Sequence, residues 1–152
     1  MDFKKDLLDS WYLNTKVTLY LLENIEPEWL SVKLEGKGRS IGEQFIHINN
    51  IRSFWIGKVG EKEDLKIDKK YGKDKEQLLK SLDLSGAKMA NTLEAIFDEE
   101  KITGYKPHPL AFYTQMIAHE AHHRGQIMIT ITRNNLPISK SVNFSLWSWN
   151  NK

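Results

Sequence analysis

His119 and His123 lie four residues apart in the run Ile117-Ala118-His119-Glu120-Ala121-His122-His123-Arg124-Gly125-Gln126. On a helix that spacing stands the two imidazoles one turn apart on one face, where both can reach one metal ion without straining either rotamer. Phe112, Met116, Ile127 and Thr130 share roughly the same stripe, so the pair is expected to point into the protein. A buried imidazole needs a polar partner. Two of them together find it either in neighbouring backbone and water or in one shared cation.

The same letters spell H-E-x-x-H, the pattern in which Glu120 would be the general base of a zinc hydrolase. Such hydrolases take a third ligand further along the chain. Here Gln126 and Ile129 stand where the extended pattern has Gly and His, and no Asp, Glu or His occurs from residue 124 onward. A third ligand is therefore expected upstream. His108, between Pro107 and Pro109, reads as a loop residue. His47 is better placed, because Ile51 and Phe54 lie within roughly 40° of it on a helix, at roughly 100° per residue. That makes it an inward-facing histidine on another helix, which is how bundles assemble metal sites.

His122 is turned roughly 100° from His123 and cannot easily join the same ion. It is expected around the ligands or on the surface. Glu120 is likewise turned away from His119; it is expected around the ligands and not on the ion itself. Arg124 and Gln126 are candidates to orient ligands by hydrogen bonds. Gly125 is expected to let a neighbouring helix approach beneath the site.

The elements that must carry these residues are helical. Phe3, Leu7, Trp11, Thr18, Leu22 and Ile25 recur at helical spacing over residues 2–25, and Pro27 closes that segment. Gly36 and Gly38 mark a loop. Ser40 and Glu43 form a capping-box pattern that opens a second helix to about Lys58, with Ile41, Phe45, Ile48, Ile51 and Trp55 as its apolar positions. Residues 61–73 read as a charged connection too polar to bury, and as the most mobile internal segment. Asp74 and Gln77 start a third helix whose stripe is Leu78, Leu82, Met89, Leu93 and Ile96. After a break at Thr103, Gly104 and Pro107, Pro109 sits in the first turn of a fourth, which runs to Asn134 or Asn135. The tail 138–152 carries Phe144, Trp147 and Trp149 and is expected to fold back on the bundle or on a second chain. Strand signals are weak throughout. An all-α four-helix bundle follows, one domain over residues 1–152.

Composition agrees. The chain has 152 residues, 22 basic against 20 acidic side chains, and a net charge of +2. Nucleic-acid binding is not expected from so small a basic excess. There is no cysteine, which excludes disulfides, thiolate ligands and a cysteine nucleophile. The start, with Asp2, Lys4, Lys5, Asp6 and Asp9, does not read as a signal peptide, and no run approaches the roughly 18 apolar residues of a spanning helix. A cytoplasmic protein with no membrane contact is expected.

A first helix with Trp11 and Asn14, then Ser40-Ile41-Gly42-Glu43-Gln44-Phe45-Ile46-His47-Ile48, then His119-Glu120-Ala121-His122-His123-Arg124-Gly125-Gln126-Ile127, and an ending Leu146-Trp147-Ser148-Trp149 together resemble the DinB superfamily (the DinB/YfiT group) over nearly the whole chain. The resemblance implies an up-down-down-up bundle, frequently dimeric. It also implies one metal ion held by a histidine of the second helix and two of the last, which fall on His47, His119 and His123. The chain departs from the pattern at Ser148, where the family often has Glu, and in the additional His122.

Members of that family resemble thiol-dependent transferases that use low-molecular-weight thiols such as bacillithiol or mycothiol. The expected function is thus a metal-dependent thiol transferase acting on electrophilic small molecules, with a homodimer as the working form. A metal-dependent hydrolase using Glu120 or Glu43 as base, and a non-catalytic metal-stabilised binding or stress-response module, are the alternatives. Imidazole suits zinc, nickel, copper and iron alike, with zinc or nickel put first.

Overall fold

Each helix begins where its capping residue says it should. In the computed structural model, which describes residues 2–106 and 108–149, α1 (Phe3–Glu23) starts on Asp2, whose side chain accepts from the Lys5 amide. Helix α2 (Ile41–Val59) starts on Ser40, with both bonds of its capping box formed. Helix α3 (Lys75–Asp98) starts on Asp74, which accepts from the Gln77 amide. Helix α4 (Pro109–Arg133) has proline in its first turn and His108 as N-cap, its Nδ1 accepting from the Ala111 amide. The short α5 (Lys140–Ser145) starts on Ser139. Pro107 and the last three residues of the expected tail lie outside the described residues.

Cross-helix contacts give the helix directions. Lys4 meets Asp98, and Lys75 bonds the carbonyls of Glu23 and Ile25, so α1 and α3 are antiparallel. Tyr113 reaches the Leu7 carbonyl and Glu120 meets Asn14, so α1 and α4 run parallel. Helix α2 opposes α4, with Trp55 beside Phe112 and Gln44 beside His123. The bundle is up-down-down-up. Among the described residues no helix is long and apolar enough to cross a membrane.

Because α2 and α3 run parallel, the chain between them must return along the bundle's length. Residues 61–68 do so without helix or strand, ending in a 3-10 turn at Lys69–Lys73. The charged connection is hydrogen-bonded to α2. Leu65 donates its amide to Ser53 and accepts from Asn49, and Ile67 exchanges both backbone bonds with the Asn50 side chain. Charged residues still face water, but the alternating Leu65 and Ile67 pack inward.

One element escaped the sequence reading. Lys33–Leu34 (β1) and Lys37–Ser40 (β2) form an antiparallel hairpin through Glu35 and Gly36, at φ 49° and 72°. A type I′ turn needs positive φ at both central positions. Two residues of strand β1 offer too short an alternation to be read in a sequence. Phe3, expected on the inward stripe, is 61% exposed, beyond the end of the core.

The core is divided. One apolar cluster gathers Leu21, Leu22, Phe45, Leu78, Ile127 and Ile131. A second gathers Trp11, Ile56, Met89, Leu93, Phe112 and Met116. Between them α1 and α3 come close at Gly86, where a Cβ would lie 2.5 Å from Thr15 Cγ2. At that level the bundle interior is polar.

Candidate metal centre

The polar layer is built from all four long helices. Arg52, on the inward face of α2, is fully buried; its Nε and Nη2 donate to the two oxygens of Glu120 at 2.6 and 2.8 Å. Its Nη1 donates to the Leu82 carbonyl at 2.7 Å. Glu120 also accepts from Asn14 Nδ2 at 2.8 Å and Thr18 Oγ1 at 3.3 Å, while Arg124 donates to Thr18 Oγ1. A buried carboxylate between guanidiniums is tolerable only with its acceptor sites filled in this way.

At the edge of this layer, between α2 and α4, three histidines converge. His119 Nε2 lies 3.3 Å from His47 Nε2 and 3.1 Å from His123 Nε2. The ligand atoms of the three all fall within 4.8 Å of one another. His123 is buried, whereas His47 and His119 are half-exposed, so the cluster opens toward solvent on one side.

One proton on His119 Nε2 cannot serve both of its neighbours at once. His123 Nδ1 lies 2.7 Å from Gln44 Oε1; with the amide in that orientation the proton sits on Nδ1 and His123 Nε2 carries a lone pair. If His119 Nε2 is also bare, two lone pairs face each other; if it is protonated, His119 Nδ1 becomes the bare atom. In either case Nδ1 of His119 is buried without a partner among the described residues. A cation shared by the three Nε2 atoms removes the conflict. Two of the separations also match the ~3.3 Å edge of a tetrahedron built on Zn–N bonds of about 2.0–2.1 Å. The residues fit a divalent metal.

Electrostatics keep the donors ready. Burial pushes His47 down to about 4 and His123 down to about 3, helped by the Arg39 guanidinium and the neighbouring imidazoles. His119 is lowered too, chiefly by burial, against an opposing pull from the Glu120 carboxylate. At neutral pH all three rings are uncharged.

Residues 10–127 match the DinB superfamily. The chain belongs to the DinB superfamily. No curated protein and no solved structure matches it. The DinB match takes in all three histidines and the whole polar layer, and leaves α5 outside.

Of the DinB residues singled out by sequence, His47, His119 and His123 meet in one cluster. Glu120 points away from it into the core, so it is no neighbour of the metal position in the sense H-E-x-x-H requires. Glu43 is also committed: its carboxylate accepts from the Ser40 amide at 2.8 Å, and that bond holds its pKa below the ordinary value. Gln126 joins the cluster through Gln44, and the exposed His122 bonds Gln126 and packs edge-on against the His123 ring, centroids 5.1 Å apart. Arg124 serves the polar layer and contacts no ligand histidine among the described residues.

Gly125 does not do what its sequence position suggests. A Cβ there would meet nothing within 4 Å, because it faces away from the bundle interior. It lines a cavity of about 350 Å³ between α4 and the returning tail, with Met128, Leu146, Trp147 and Trp149.

Arg52 and Gln44 were missed. Each was visible as a polar residue on the apolar stripe of α2, Gln44 four before Ile48 and Arg52 four after it.

Proposed function

We propose that this DinB superfamily protein holds one divalent metal ion, zinc or nickel, through His47, His119 and His123. We propose further that it is a transferase joining a low-molecular-weight thiol to electrophilic small molecules. The observation that carries the reading is the convergence of three imidazoles at a half-exposed edge with no carboxylate among them. Three protein ligands leave a coordination position free, as catalytic sites require. When bound, a divalent cation lowers the pKa of a coordinated thiol, so that it is a thiolate at neutral pH.

The chain's own residues supply the rest. Burial keeps the imidazoles neutral and their lone pairs available. The open side between α2 and α4 admits the thiol and its electrophile, and the thiol's proton leaves to solvent. A carbon–sulfur bond forms as the leaving group departs with its electron pair. The sulfur must come from the co-substrate, since the chain has no cysteine. Hydrolysis is served less well, because Glu43 caps α2 and Glu120 is bound to Arg52. A homodimer with exposed Phe144 and Trp147 at the contact belongs to the same proposal.

A panel of electrophiles assayed with zinc- or nickel-loaded protein, with and without bacillithiol or another small thiol, tests this. Turnover that needs both thiol and metal is expected. Metal-dependent turnover without thiol would replace the transferase reading with a hydrolytic one.

A further inference from the structure

His123 is the one member of the cluster whose Nδ1 has a hydrogen-bond partner among the described residues. That partner, Gln44, is buried on α2 one turn before His47, and its amide lies between two groups. Oε1 faces His123 Nδ1 at 2.7 Å, and Nε2 donates to Gln126 Oε1 at 2.9 Å. Gln126 in turn presents Nε2 to His122 Nε2 at 2.8 Å. Two side-chain amides therefore link the buried imidazole to an exposed one.

Such a chain has only two consistent directions. In the first, His123 Nδ1–H donates to Gln44, Gln44 to Gln126, and Gln126 to the bare Nε2 of His122. In the second every bond is reversed, and His123 must carry its proton on Nε2. Only the first leaves the His123 Nε2 lone pair pointing at His119 and His47. A mis-set amide anywhere along the chain would place two donors or two acceptors face to face, which costs the desolvation of a buried polar group.

We propose that Gln44 is the positioning residue of the metal centre: it holds His123 in the Nδ1–H tautomer, and Gln126 fixes the amide orientation that lets it do so. The inference rests on the three-histidine metal site proposed above. Hydrogen bonds to the far nitrogen of a ligating histidine orient the ring and raise its basicity as a ligand. Gln44 adds a connection between helices, since it sits on α2 and disciplines a ligand on α4.

Zinc affinity by chelator competition, for the wild type and for Gln44→Leu and Gln44→Glu, tests the proposal together with long-range 1H–15N spectra of the metal-free proteins. Gln44→Leu is expected to weaken zinc binding about 10- to 100-fold. Gln44→Glu, whose carboxylate accepts the same Nδ1–H bond, should stay within a few-fold of wild type. His123 should appear as the Nδ1–H tautomer in the wild type and in Gln44→Glu, and lose that preference in Gln44→Leu. A wild-type His123 protonated on Nε2 overturns the inference even if no variant folds. So does a Gln44→Leu protein that binds zinc as tightly as wild type. Failure of the wild type to bind zinc or nickel would instead remove the metal site itself.

Discussion

Arg52 and Glu120 meet in a bidentate pair at the centre of the bundle, 2.6 and 2.8 Å apart, with both side chains fully buried. Glu120 immediately follows a ligand candidate, yet its carboxylate ties α4 to α2 and α1 and leaves the metal position alone. Glu120→Gln would strand the Arg52 charge, with Arg124 nearby, in the apolar interior. Breaking one partner of such a pair typically costs about 3–5 kcal/mol. Urea unfolding is expected to show a loss of that size, with the metal bound per folded chain unchanged. An unaltered unfolding midpoint would mean that the pair does not hold the helices together.

The histidine cluster makes the stability of the metal-free protein depend on pH. Burial depresses His47 to about 4 and His123 to about 3, from an ordinary 6.5. Below that ordinary value the unfolded chain takes up protons that the folded chain refuses. The stability from keeping these rings neutral is therefore full above about pH 6.5 and lost progressively as the pH falls toward the folded values. Melting temperatures of metal-free wild type should fall more steeply between about pH 7 and pH 4.5 than those of His47→Ala/His123→Ala. Parallel curves would contradict this.

The sequence carried the helices because each has a capping side chain and a repeating apolar stripe. It carried the His119–His123 pair because helical spacing is local. What it hid is tertiary. Arg52 and Gln44 occupy apolar positions of α2, and only the facing helix reveals why polar side chains stand there. The stripe through His47 includes Phe54, which is 46% exposed, so the cluster lies at an edge and not on the bundle axis. The β1–β2 hairpin and the tied connection 61–68 depend on turn geometry and on amide side chains of α2, which leave no periodicity to read.

Phe144 and Trp147 are 69% and 79% exposed on the returning tail, while Val142 and Leu146 beside them are buried. Large aromatics left in water beside an anchored helix suit a contact with a second copy. Sedimentation at tens of micromolar, roughly where weak dimers form, is expected to give a dimer for wild type and a monomer for Trp147→Lys/Phe144→Ser. A wild type that stays monomeric there would remove the homodimer from the account.

Sharing of one cation between α2 and α4 is tested most directly by His47→Ala. His47 lies 72 residues from His119 in sequence and 3.3 Å from it in space. Its removal leaves two imidazoles, which hold a divalent ion poorly against water. Elemental analysis of protein purified without nickel resin and loaded with zinc should give about one ion per chain for wild type, and less than about a tenth of that for His47→Ala after the same dialysis. Helical circular dichroism should be retained, because His47 is half-exposed and carries no part of the apolar core. Full metal occupancy in folded His47→Ala would contradict the three-histidine centre.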